Sequence, residues 1–131
     1  MSIFTQEEIE CLGSGLLGRL ATVARRDPHV APVGMFSHNA ALDTIDIGGR
    51  DLTNTKKFRD IRRSGRVAVV VDDLASTDPW RPRGIEVRGR AEALEEPKPL
   101  IRIHPERIVA WGLDTGGFQR NSRSLERTKT G

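Results

Sequence analysis

The stretch Thr44–Asp73, TIDIGGRDLTNTKKFRDIRRSGRVAVVVDD, holds in order a short apolar alternation (Ile45, Ile47), paired glycines, a hydroxyl-rich turn, a basic segment and a β-rich run from Val67 to Val71. Alternation predicts a strand over Thr44–Gly48, and Phe58 with Ile61 at i and i+3 predicts a short amphipathic helix over Thr53–Ser64, closed by Gly65. A strand, a glycine loop and a helix start in that order can form an anion site, because unpaired backbone N–H groups and the positive helix end converge there. Thr53, Thr55, Lys56 and Lys57 lie at this junction, which reads as a phosphate grip for a cofactor. A basic helix is also commonly just a solvated face. Lys56 and Lys57 stand out from it because the helix dipole disfavours a cation in the first turn unless an anion is bound nearby.

Working outward toward the N-terminus, Thr5-x-x-Glu8 is a capping box, with Phe4 and Ile9 placed as a hydrophobic staple. A helix starts there and ends near Gly13 or Gly15. Cys11, on or beside that helix, reads as a small buried hydrophobe. Leu17–Ala24 and His29–Phe36 are two extended segments separated by the turn residues Arg25, Arg26, Asp27 and Pro28, which predicts a hairpin. Pro32 cannot donate to a ladder, so it belongs at an edge or a bulge. Gly34 either admits another backbone or a flat ligand, or merely bends the strand.

Toward the C-terminus, the valines of Arg66–Asp72 suggest a strand buried on both faces. Asp73–Arg83, with Asp78, Pro79, Trp80 and Pro82, reads as a rigid loop whose Trp80 is either core or a stacking platform. Arg83–Leu94 alternates cleanly and is a long half-exposed strand. Pro97 and Pro99 precede an extended pair, Ile101 and Ile103; His104 beside Pro105 reads as a surface turn, and Arg107–Trp111 as the last strand. About six or seven strands with two short helices point to a mainly β protein, a small antiparallel barrel.

The 131 residues fit one domain. Of the net charge of +3, the segment Phe118–Gly131 carries all, with four basic residues against one acidic, so the body is formally neutral and a nucleic-acid partner is disfavoured. The expected division is a single domain over 1–117 and a polar, basic, disordered tail over 118–131. No apolar run is long enough to span a bilayer and the N-terminus lacks the pattern of a signal peptide, which predicts a cytoplasmic protein without a membrane partner. A lone cysteine and three scattered histidines present no metal-ligand spacing. No Ser-His-Asp set or carboxylate pair is evident, and no catalytic side chain is assigned.

Four segments together resemble a known family: GRLATVARRDPHVAPVGMF (Gly18–Phe36), IDIGGRDLTNTKKFRDIRRSGRVAVVVDD (Ile45–Asp73), DPWRPRGIEVRGRAEAL (Asp78–Leu94) and IRIHPERIVAWGLD (Ile101–Asp114). They are similar to the split-barrel flavin-binding proteins related to pyridoxamine 5′-phosphate oxidase, and among these to actinobacterial deazaflavin-dependent oxidoreductases. The resemblance implies a six- to seven-stranded antiparallel split β-barrel of the FMN-binding type, forming a homodimer with cofactor sites at the subunit interface. It implies coenzyme F420, or alternatively FMN, and hydride exchange with a small organic substrate; a non-catalytic cofactor carrier is a further alternative. The ring would lie against Pro32, Val33 and Gly34 and against Ile47, Gly48 and Gly49, largely through backbone. The phosphate-bearing tail would reach Lys57, which matches the family's lysine, with Arg50, Thr53, Thr55 and Lys56 beside it. The segment with Trp80 resembles the one that reaches the partner's ring.

Overall fold

The computed structural model describes residues 2–113 and 120–125. Helix α1, Gln6–Leu12, begins as the capping box predicts: the Thr5 hydroxyl accepts from the Glu8 amide at 3.2 Å and the Glu8 carboxylate accepts from the Thr5 amide at 2.9 Å. Strands β1 (Gly18–Ala24) and β2 (Asp27–Val33) form the expected hairpin. Its two turn residues, Arg25 and Arg26, have φ of 53° and 65°, the left-handed pair that matches the twist of the strands they join.

The expected extended segment His29–Phe36 is broken at Gly34 and Met35. Beyond them β3 (Phe36–Asn39) pairs with β4 (Thr44–Ile47) at the opposite end of the sheet. A 3-10 turn (Leu52–Asn54) leads into helix α2 (Lys56–Arg63). Then come the long strands β5 (Arg66–Thr77), β6 (Trp80–Leu94) and β7 (Leu100–Trp111), followed by β8 (Arg120–Ser124).

The fully antiparallel sheet runs β2-β1-β5-β6-β7-β4-β3, with β8 also on β7. Its two ends, β2 and β3, are joined only by Gly34 and Met35, so the sheet curls back on itself without closing. β7 is shared lengthwise: Ile101–Ile103 pairs with β4, and Arg107–Trp111 with β8. Inward residues such as Leu20, Val69, Ile85, Val87, Ile101 and Ile108 make the core, and Phe58 and Ile61 of α2 plug it. The alternation expected in β6 is present. In β5, Val69 and Val71 are buried while Val70 is half-buried on the outer face, so the valine run is not enclosed on both sides.

Four further expectations are corrected. Asp73–Arg83 is a hairpin, not a loop: the strands pair through Thr77 and Trp80, and Arg83 binds Asp73 with two bonds of 2.7 and 3.0 Å. Pro82 is tolerated there because β6 has no β7 neighbour before Gly84, so its missing N–H costs no ladder bond on that side. Pro105 does not divide β7 either; it sits at a bulge, where the pairing shifts between Arg88 and Gly89 and leaves Glu106 as the extra residue. His104 is therefore a strand residue, bonded to Glu92 at 2.5 Å, and not a turn residue.

The fourth correction concerns the tail. Arg120–Ser124 is ordered as β8, and Leu125 N–H donates to Glu106 O at 2.8 Å. Arg123 supplies the reason: its guanidinium reaches both carboxylate oxygens of Glu8, at 3.0 and 2.6 Å, and Ile3 O at 2.8 Å. This makes eight strands among the described residues, one more than the upper expectation. The rest of the expected tail, 118–119 and 126–131, lies outside them.

Candidate functional site

The geometry begins at the ends of β2 and β4. Gly48 N–H donates to Met35 O at 2.7 Å, which draws the β2–β3 joint against the glycines after β4. Two of the expected groups, Pro32-Val33-Gly34 and Ile47-Gly48-Gly49, are thereby brought together. Val33 and Ile47 point into the core at 4% and 0% exposure, so only their backbones can face a ligand. Pro32 is exposed, on a strand that pairs only with β1, which satisfies the expectation of an edge. A Cβ on Gly34 would stand 3.3 Å from Leu17 Cδ2, so a larger residue there would press on Leu17.

The helix junction sorts its own residues. Thr55 is the N-cap of α2: its hydroxyl accepts from Phe58 N–H at 3.3 Å and donates to Leu52 O at 2.7 Å. The hydroxyl is thus occupied by the fold, as a cap requires. Lys56 is engaged too, with Nζ 3.2 Å from Asp60 and 3.5 Å from Asp27 of the β1–β2 hairpin. Asp60 is buried and also accepts from the Thr22 hydroxyl at 2.8 Å. Burial pushes the Asp60 carboxyl up, but the bonds from Thr22 and Lys56, with the charges of Lys56 and His29, outweigh it and hold the group below the usual carboxylate range.

Lys57 is different. It lies in the same first turn, half-buried, with no hydrogen bond or ion pair to any described residue. Arg50 is likewise without a partner and exposed, and Thr53 sits in the 3-10 turn between them. The first turn of α2 contains no acidic side chain. Its positive end and these two cations therefore remain uncompensated, which suits an anion such as a phosphate.

Trp80 stands elsewhere. β1 pairs with β5 only as far as Val71, and β7 joins β6 only from Gly84, so the ribbon between them projects past its neighbours. Trp80 is near its tip and 56% exposed; it is not core. Within one chain it is not brought to the other expected residues.

A cleft of about 750 Å³ opens beside the glycines. Gly48, Gly49 and Thr53 line it together with Met35, Ser37 and the turn between β6 and β7. At its base Arg102 forks onto Asp46 at 3.1 and 3.2 Å, and Asn39 and Thr44 donate to the same carboxylate. Burial raises the Asp46 pKa, but these donors prevail and the net shift is downward. The sequence reading missed this pair. Alternation around Ile45 and Ile101 does turn Asp46 and Arg102 outward, but nothing local gives the register that sets them side by side.

A mainly β barrel that fails to close, with two short helices, defines a split barrel of the flavin-binding class. Residues 4–128 match the pyridoxamine 5′-phosphate oxidase family, and the chain belongs to it. It is 44% identical over 121 residues to a 5a,11a-dehydrotetracycline/5a,11a-dehydrooxytetracycline reductase of Streptomyces rimosus, covering 85% of this chain and 84% of that one. Two solved structures share the fold. The FAD binding protein from Mycobacterium smegmatis has a TM-score of 0.61 at 22% identity over 81% of this chain and 91% of that one. General Stress Protein 26 from Bacillus anthracis has a TM-score of 0.64 at 22% identity over 92% and 97%. Family and relative together support an oxidoreductase of the flavin or deazaflavin type.

Proposed function

We propose that the protein is a homodimeric oxidoreductase that uses coenzyme F420 to reduce a small unsaturated organic molecule. The observation that carries this reading is the sorting of cations at α2: Lys56 is committed to Asp60 and Asp27, while Lys57 is left for an external anion. The cofactor's tail phosphate fits that position, and the exposed backbone of β2 with Gly48 and Gly49 offers a surface for its ring. When bound, a reduced deazaflavin would supply a hydride and solvent the single proton, so that one double bond of the acceptor gains two hydrogens. The chain's part is to hold the phosphate at Lys57 and Arg50 and to orient the ring along the β2 edge. FMN would bind through the same phosphate contacts and is the alternative.

Dimerisation is supported by the outer sheet face. A hollow of about 540 Å³ there is lined by Ala21, Val23, Pro28 and Ala68 with arginines around it, and Trp80 projects on its ribbon. Such a face suits a second copy, with Trp80 reaching the partner's site. Sedimentation of a compact monomer at micromolar concentration would remove the dimer. Fluorescence titration with F420 and with FMN separately decides the cofactor: tighter binding of F420 is expected, and tighter binding of FMN selects the alternative. Consumption of reduced F420 with an electron acceptor separates an enzyme from a carrier.

A further inference from the structure

The outer sheet face carries a grouping of charge that the cofactor reading does not use. On β5 the buried Val67 and Val69 turn Arg66 and Ala68 outward, and on β6 the buried Val87 and Ala91 do the same for Arg88 and Arg90. Register then sets the shape. Ala68 lies between Ala21 of β1 and Arg88, while Arg66 stands directly opposite Arg90. Two alanines side by side among long side chains leave a hollow of about 540 Å³, with Val23 and Pro28 on its β1–β2 side. Like charges directly opposite each other on a sheet destabilise it.

The carboxylates nearby do not relieve this opposition. Glu86 is spent on Arg88, which forks onto it with two bonds of 3.1 Å. Glu92, the next outward residue on β6, is held by His104 at 2.5 Å. Glu106, brought to the rim by the bulge in β7, comes only within 3.9 Å of Arg90, outside hydrogen-bond reach. The Arg66 guanidinium has no ion pair or hydrogen bond to any described residue. Asp27 is turned to Lys56, and the exposed Arg25 and Arg26 before it, likewise without a described partner, add charge of the same sign.

We infer that this hollow is an anion site in which Arg66 and Arg90 together grip one small dianionic oxyanion, a hydrogen phosphate or a dicarboxylate. A planar guanidinium presents paired N–H donors to such a group, and an anion between two opposed arginines converts their repulsion into two attractions. The alanine floor gives it room. Where a second copy covers this face the anion is enclosed between the chains, and only that placement rests on the dimer reading.

The test titrates the full chain with hydrogen phosphate, with malonate and with chloride at equal ionic strength and mildly alkaline pH, where the first two are dianions, and follows backbone amide resonances. The signals of Ala68 and Arg90 should move with the dianions and stay still with chloride; the dianion that moves them at the lower concentration identifies the oxyanion. Arg66→Gln and Arg90→Gln should each weaken this response about tenfold or more, the loss of one charge-assisted contact. In chloride neither variant should melt below wild type, because each removes a repulsion, whereas loss of a merely structural arginine would lower the melting temperature. Phosphate also suits Lys57, so Lys57→Ala is titrated alongside and should leave the Ala68 and Arg90 shifts intact. Signals that ignore both dianions, that respond as in wild type in a folded Arg66→Gln or Arg90→Gln variant, or that vanish in Lys57→Ala overturn the inference. Sedimentation in the same buffers keeps the dimer separate: a monomer whose hollow still binds removes the second copy and leaves the anion site.

Discussion

Two regions of this barrel handle charge in opposite ways. Where β8 meets α1, Glu8 is 1% exposed and its carboxylate is matched by Arg123, by the Thr5 amide and by nothing left over. At the start of α2, one lysine is matched by two carboxylates and its neighbour by none. A buried ion left alone is penalised heavily, so the first region can serve only the fold. A partly exposed cation costs little to leave unpaired, so the second can hold Lys57 in reserve for a ligand. The contrast separates what stabilises the chain from what is available to bind.

The largest effect expected is at the satisfied region. Arg123→Ala leaves Glu8 buried without its counter-ion, a loss of about 3–5 kcal/mol. Urea unfolding should show it as a lower midpoint, while F420 affinity in the folded fraction stays unchanged. A midpoint shift too small to measure would mean that β8 is not held by this pair. Lys57→Ala should act in the opposite manner. If Lys57 holds the cofactor phosphate as proposed, this removes a charge-assisted bond worth about 1.5–3 kcal/mol, so cofactor affinity should fall by one to two decades while the melting temperature of the cofactor-free protein is unchanged or slightly higher. Equal dissociation constants for wild type and variant, at both low and high salt, would take Lys57 out of the site.

Asp60 tests whether the two behaviours coexist within one helix turn. Its folded pKa is depressed, so the stability it contributes is present above the unfolded carboxylate value, about 3.9, and is lost as pH falls through the lower folded value. Asp60→Asn weakens the bonds with Lys56 and Thr22 at neutral pH by about 1–3 kcal/mol. The gap between wild type and variant should close in acid, below about pH 4. A gap that stays constant from neutral pH into acid would show that the carboxylate's charge contributes nothing.

How much of this was legible depended on the range of the interaction. The capping box of α1 and the Arg25-Arg26 turn are local patterns, and each appears where the residues placed it; α2 begins at Lys56, three residues later than expected, because Leu52–Asn54 form a separate 3-10 turn. Pro82 and Pro105 misled because a proline's cost depends on whether a neighbouring strand needs its N–H, which only the sheet order decides. The tail misled for a related reason: the polar run around Arg123 looks unable to fold until Glu8, 115 positions away, supplies a buried partner. At the candidate site the residue types were readable but their employment was not. Which of Thr55, Lys56 and Lys57 is free is settled by Leu52, Asp27 and Asp60, two of them outside the helix.

Thr55 therefore gives the sharpest small test of the comparison. The sequence places it among the cofactor-binding residues, yet its hydroxyl both caps α2 and closes onto Leu52 O. If the fold has consumed the group, Thr55→Ala should cost about 1 kcal/mol of stability, the usual loss of an N-cap, and should shift cofactor affinity by no more than about twofold. Thr55→Ser keeps the oxygen and should restore most of the stability. If instead the hydroxyl binds phosphate, the alanine variant would lose affinity at least as much as stability, and serine would rescue both. Thermal unfolding without cofactor and a fluorescence titration on the same samples distinguish the two. A loss of affinity without a loss of stability would move Thr55 from the structural group to the one that contains Lys57.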